Sequence, residues 1–110
     1  IDVETIAPRG AAFITTAFAP SQQAHIAAQR EGAARDLFIT RMWCAKEAAA
    51  KSFGVGLGDF ARFAAEPSQT DPETFVITEK SSGALVFVNT VENSGEQMVA
   101  ALAVRRKSGR

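Results

Sequence analysis

Apolar and acidic residues alternate at the start of the chain, in the order Ile1, Asp2, Val3, Glu4. That period of two predicts a β-strand over residues 1–4. Residues 5–10 contain Pro8 and Gly10 and predict a loop. Phe13, Ile14, Ala17 and Phe18 then recur at helical spacing and predict a short helix, which Pro20 breaks. Ser21 is placed to cap a second short helix carrying Ala24, Ile26 and Ala27. The strongest helical pattern covers residues 33–53. There Leu37, Ile39, Met42, Trp43, Ala45 and the run Ala48, Ala49, Ala50 are interleaved with Arg35, Arg41, Lys46, Glu47 and Lys51. Alanine is the best helix former, so pattern and propensity agree. Gly54, Gly56 and Gly58 are expected to end this helix.

Beyond that point the pattern changes from helical to extended. Residues 60–65, 74–78, 84–90 and 97–105 predict strands, with a polar turn over 67–72 and the turn Ser81, Ser82, Gly83 between the second and third. The last strand is apolar on both faces from Met98 to Val104, which places it inside its sheet. The fold class predicted is α+β: helices first, packed on an antiparallel β-sheet that the first strand joins. One domain over residues 1–105 followed by a basic tail over 106–110 is expected. The chain begins with Ile1, within a strand, which is expected of a piece of a longer protein.

Composition narrows the class of function. Of the 110 residues, 46% are hydrophobic, the supply of a globular chain. Twelve basic and twelve acidic residues balance, which argues against nucleic acid as a partner because phosphate backbones demand a basic excess. No apolar run has the length of a membrane span. The one cysteine, Cys44, fits a reducing compartment.

Two clusters carry candidate chemistry. Asp2 and Glu4 project from one face of a strand, roughly 7 Å apart along the backbone. Paired carboxylates repel unless a cation sits between them, and a hard divalent ion takes such oxygens. A solvated strand edge is the plain alternative. Trp43, Glu47 and Lys51 share one helix face at i, i+4 and i+8. Here the plain reading is a surface Glu47–Lys51 pair beside a core tryptophan. The sharper one makes Glu47 a third carboxylate for the ion and sets Lys51 near a phosphate, as a compact positive charge.

Taken together, the segment Ile1-Asp2-Val3-Glu4 resembles the [IV]-D-x-E motif of the 4′-phosphopantetheinyl transferases, and Trp43-x-x-Lys46-Glu47-Ala48-x-x-Lys51 resembles their W-x-x-K-E-[AS]-x-x-K motif. The order of the two, the gap between them and the Phe53-Gly54-x-Gly56-Leu57 turn also resemble the family, so motifs cover about the first 60 residues. The resemblance implies transfer of 4′-phosphopantetheine from coenzyme A to a serine of an acyl or peptidyl carrier protein, in the cytoplasm. It implies Asp2, Glu4 and Glu47 as Mg2+ ligands, Glu47 and Lys51 as catalytic residues, and Lys46 and Lys51 as contacts to coenzyme A. It leaves Glu47, or a metal-held water, to accept the serine proton. Gln22 stands near a position where relatives of the surfactin-synthetase type often carry a glutamate, and an amide is no base. Phe13, Ile14 and Phe18 fall in a segment that borders the carrier protein in relatives, although core packing is the plainer reading of each. Trp43, together with the lack of a serine–histidine motif near the last strand, resembles the long, two-half layout or an integrated synthase domain. An upstream half or a homo-oligomeric partner is then expected to complete the coenzyme A site.

Other patterns were weaker. The run Gly54-Val55-Gly56-Leu57-Gly58 follows a helix, whereas a dinucleotide-binding loop follows a strand. Cys44 with His25 is a poor thiol–imidazole pair: the cysteine reads as core and the histidine as solvated. Glu31, Glu66 and Glu73 have no constellation around them. Two rival functions stay open: a non-catalytic structural or docking module of a megasynthase, and a metal-dependent phosphohydrolase.

Overall fold

The computed structural model describes residues 1–55 and 62–105. Its elements are β1 (Asp2–Thr5), α1 (Ala11–Ala17), α2 (Pro20–Ala27), α3 (Ala33–Ser52), β2 (Phe63–Pro67), β3 (Thr74–Glu79), β4 (Ala84–Asn93) and β5 (Met98–Arg105). The five strands form one sheet in the order β1-β5-β4-β3-β2, antiparallel throughout. The α+β architecture expected from the sequence is the one observed, and β1 does join the later strands, pairing Asp2 with Ala101 and Glu4 with Val99.

Strand alternation decides which residues meet the helices. Phe63 and Ala65 of β2, Phe75 and Ile77 of β3, Val86 and Val88 of β4, and Val99 and Ala101 of β5 are all buried. They pack with Ile39, Met42, Cys44, Ala45, Ala48 and Ala49 of α3. The alanines let the helix lie close to the strands. Helix α3 is buried on more than one side because α1 and α2 flank it. Phe13, Phe18 and Trp43 meet edge to face, with Phe13 and Trp43 centroids 5.1 Å apart. Phe18 is buried, and the half-buried Phe13 and Ile14 pack on the core, as the plainer reading of that segment expected.

Several boundaries differ from the sequence pattern. Pro20 ends one helix and also opens the next: Ala19, and not Ser21, is the N-cap of α2, and Pro20 takes the first helical position. Proline suits that position, since its missing N–H would have no helical partner there. Gln22 Oε1 accepts from the Ala19 N–H at 2.8 Å, the bond by which the third helical residue reaches back to the N-cap in a capping box. Strand β2 runs to Pro67, later than predicted, which an edge strand tolerates. Helix α3 ends with Gly54 at φ +73°, the Gly54 N–H donating to Lys51 O and the Val55 N–H to Ala50 O. This is the Schellman closure, and it favours glycine. Gly56, Gly58, Phe60 and the basic tail lie outside the described residues. Strand β5 has a strand on each side, as expected, yet only one of its apolar faces is covered: Leu102 and Val104 are exposed.

Arg41 fastens α3 to the far strands. Its Nη1 donates to Thr90 Oγ1 at 2.7 Å and Thr90 O at 3.2 Å, and Thr90 Oγ1 donates to Glu73 O at 2.6 Å. All but 8% of Arg41 is buried. Thr90→Val removes the hydroxyl from this chain and leaves a buried donor short of an acceptor. It is expected to destabilise the fold by roughly 1–3 kcal/mol in urea unfolding.

Candidate metal centre

The centre is assembled at the seam between β1 and α3. Asp2 and Glu4 both face the helix, so Asp2 is buried and Glu4 half-buried, while Val3 between them points outward and is 51% exposed. Pairing with β5 fixes the register of both carboxylates. Glu47 enters from α3. One carboxylate oxygen from each of Asp2, Glu4 and Glu47 lies within 4.8 Å of the others.

Like charges at this range shift one another. Burial first, then the neighbouring carboxyls of Glu4 and Asp2, push Glu47 up to about 8 from its ordinary 4.5. Its Oε1 is buried with no hydrogen-bond partner. Lys51 supplies a close positive charge, donating from Nζ to Asp2 Oδ1 at 2.6 Å. The hydrogen bond and the charge of Asp2 hold the Lys51 ammonium above its ordinary pKa. The plain expectation of a Glu47–Lys51 surface pair is therefore replaced by a Lys51–Asp2 pair reaching from α3 to β1.

Cys44 is the residue at this centre that sequence reasoning passed over. It is wholly buried, as expected of a core cysteine, and its Sγ lies 3.4 Å from both Asp2 O and Asp2 Oδ2. Burial and the Asp2 carboxylate raise its pKa far above the usual thiol range, so it stays a protonated donor to Asp2. One sign was available: Cys44 stands three residues before Glu47, close to the same helix face.

Lys46 is set apart from this group. Its side chain is fully buried and donates to Ala17 O at 2.9 Å and Gln22 Oε1 at 3.2 Å. The ammonium also lies 5.4 Å from the Phe18 ring centroid. Burial, then the charge of Lys80, lowers its pKa to about 8. In this structure Lys46 ties α3 to α1 and α2, and a direct contact with coenzyme A would require those helices to move. Gln22 is equally buried, with its Nε2 unpartnered. His25 pairs with Glu66 at 3.1 Å while Cys44 faces Asp2, so the two do not form a thiol–imidazole pair. Glu31 lies near Arg35, and Glu73 near Arg41.

An all-oxygen, carboxylate-rich donor set with an orphaned buried oxygen suits a hard divalent cation. A family model for the 4′-phosphopantetheinyl transferase superfamily matches residues 1–103. The chain belongs to that superfamily. No curated protein and no solved structure matches it significantly. Both clusters singled out in the sequence fall inside the matched span. Among the described residues, no helix is long and apolar enough to cross a membrane.

Two outcomes test the electrostatics. The folded pKa of Glu47 lies above its unfolded value, so the folded chain binds more protons between about pH 4.5 and 8. Without divalent ions, stability is expected to fall as pH rises through that window, and Glu47→Gln is expected to flatten the fall. Urea midpoints from pH 4.5 to 8.5 check this. For Lys46 the sign is reversed. Its folded pKa of about 8 lies below the unfolded 10.5, so its contribution makes stability rise with pH between the two. Gln22→Glu sets a carboxylate beside Lys46 and removes the orphaned amide. It is expected to add roughly 1–3 kcal/mol at pH 7 and to flatten the alkaline rise.

Proposed function

We propose that this chain transfers 4′-phosphopantetheine from coenzyme A to a serine of an acyl or peptidyl carrier protein. The carboxylate triad carries this reading: Asp2, Glu4 and Glu47 converge within 4.8 Å, inside a chain of this superfamily. These three residues would hold Mg2+. The ion would supply positive charge to offset that of the pyrophosphate as the phosphoanhydride breaks.

The remaining work falls to the chain's own groups. In transfer, the serine oxygen forms a bond to the β-phosphorus of coenzyme A, the phosphoanhydride P–O bond breaks, and adenosine 3′,5′-bisphosphate leaves. Lys51 in the metal-free chain serves as counter-charge to Asp2; its side chain is 58% exposed, so its ammonium can turn to phosphate oxygens. The serine hydroxyl loses its proton as it attacks. Glu47, or a water held by the ion, is our candidate acceptor. Lys46 holds α1 and α2 in place and is given no substrate contact in this reading. Asp2 and Glu4 of the triad lie on β1, an edge strand of the described sheet, so an upstream half or a second copy of the chain can complete the coenzyme A site from that side.

Mass spectrometry tests the proposal. An apo carrier protein incubated with this chain, coenzyme A and Mg2+ should gain about 340 Da, the mass of one phosphopantetheine arm. Glu47→Ala should slow the gain on the order of a hundredfold or more. Mg2+ should also raise the melting temperature of the wild type and leave that of Glu47→Ala unchanged. No gain in mass, even with the upstream half supplied, would leave a family-shaped module without this activity.

A further inference from the structure

Asp2 is the most deeply buried of the three carboxylates, and each of its two oxygens has a partner of its own. Lys51 Nζ donates to Oδ1 at 2.6 Å, and Cys44 Sγ stands 3.4 Å from Oδ2. Both donors reach across from α3, about two helical turns apart, and close on one carboxylate of β1.

The two partners differ in how they can answer a cation. The Lys51 side chain is 58% exposed, so its ammonium can turn away and release Oδ1. Cys44 is wholly buried. Its sulfur also lies 3.4 Å from Asp2 O and 3.6 Å from Val99 O, wedged between α3 and the β1–β5 pair. A side chain this short, packed on every side, has nowhere to move. Of the three oxygens around the thiol, Oδ2 alone carries charge, and charge-assisted hydrogen bonds are the stronger ones. The thiol therefore keeps Oδ2 both bonded and covered. The ligand atoms within 4.8 Å of one another come from Asp2, Glu4 and Glu47 and leave the sulfur out.

Asp2 then has one oxygen to give, Oδ1. That bears on the choice of ion. Mg2+ demands a tight octahedron and keeps several waters, whereas Ca2+ takes more oxygens in looser geometry and readily grips a carboxylate by both. We propose that Cys44 sets the ion preference of this centre: by occupying Asp2 Oδ2 it confines Asp2 to single-oxygen coordination, which favours Mg2+ over Ca2+. The inference rests on the metal centre proposed above. The buried, unpartnered Glu47 Oε1 supports that centre without involving the cysteine. Cys44 is a positioning residue, acting on the ion through Asp2 and touching neither ion nor substrate.

Calorimetric titration of Mg2+ and Ca2+ into the wild type, Cys44→Ala and Cys44→Ser, without coenzyme A, tests this. Cys44→Ala uncovers Oδ2. It should bind Mg2+ roughly tenfold more weakly than the wild type, a usual loss when the hydrogen-bond partner of a metal ligand is removed. It should bind Ca2+ at least as tightly as the wild type does. Cys44→Ser keeps a donor and should restore the preference for Mg2+. A cysteine with a merely structural role would weaken both ions alike, and that result would overturn the inference. Infrared spectra of the wild type labelled with 13C-aspartate need no variant to fold. With Mg2+ they should show the wide carboxylate splitting of single-oxygen binding, and the narrow splitting of two-oxygen binding would overturn the inference. A sulfur-to-cadmium absorption band in the wild type, lost in Cys44→Ser, would also overturn it, by making the thiol a ligand. Mg2+ binding with an unaltered ion ratio in Cys44→Ala would sink this inference alone. A wild type that binds neither ion would sink the metal centre and this inference with it.

Discussion

Asp2, Glu4 and Glu47 bring three carboxylate oxygens within 4.8 Å of one another, and like charges that close repel strongly when water is partly excluded. The features around them answer that repulsion. Lys51 reaches across from α3 to pair with Asp2. Cys44, kept protonated by its burial, offers a hydrogen to the same carboxylate. Glu47 is held toward its protonated form by burial and by its neighbours. A chain selected for stability alone would have little use for such a cluster. Its persistence in a well-packed seam is the physical reason to read it as a site.

The packing that surrounds the cluster makes the crowding possible. Ala45, Ala48 and Ala49 are wholly buried, and such small side chains let α3 sit low on the sheet. Lys46, one residue before Glu47, fastens the opposite side of the helix to α1 and α2 through Ala17 O and Gln22 Oε1. The short motif from Trp43 to Lys51 thus does two jobs. Glu47 and Lys51 face β1, while Trp43 and Lys46 hold the flanking helices. Arg41, one turn earlier, anchors the same helix to β4.

Much of this was legible in the chain, for identifiable reasons. Strands, turns and the long helix were marked by period and by glycine and proline, and these signals are local. That β1 joins the sheet was anticipated, yet its partner β5 and its register were not, because both are set by tertiary packing. The cap of α2 was misassigned because the helix opens at Pro20, so that Ser21 lies inside its first turn and Ala19, bonded through its N–H to Gln22, becomes the cap. Lysine is rarely buried, so nothing in the composition marked Lys46 as an interior residue. The three carboxylates were found through spacing within two motifs. The link from Lys51 to Asp2 and the thiol of Cys44 depended on how the two segments meet, which spacing along the chain does not encode.

The pairing of β1 with β5 also has a consequence for biosynthesis. Asp2 and Glu4 are made well before the strand that fixes them, Met98–Arg105. Helix α3 can form locally while the chain is still emerging. The seam that holds the triad waits for a contact between distant parts of the sequence, and such contacts form late and slowly. A nascent or truncated chain without β5 would therefore display Glu47 on its helix and yet offer no triad to a cation. Any chemistry at this centre is withheld until the sheet has closed.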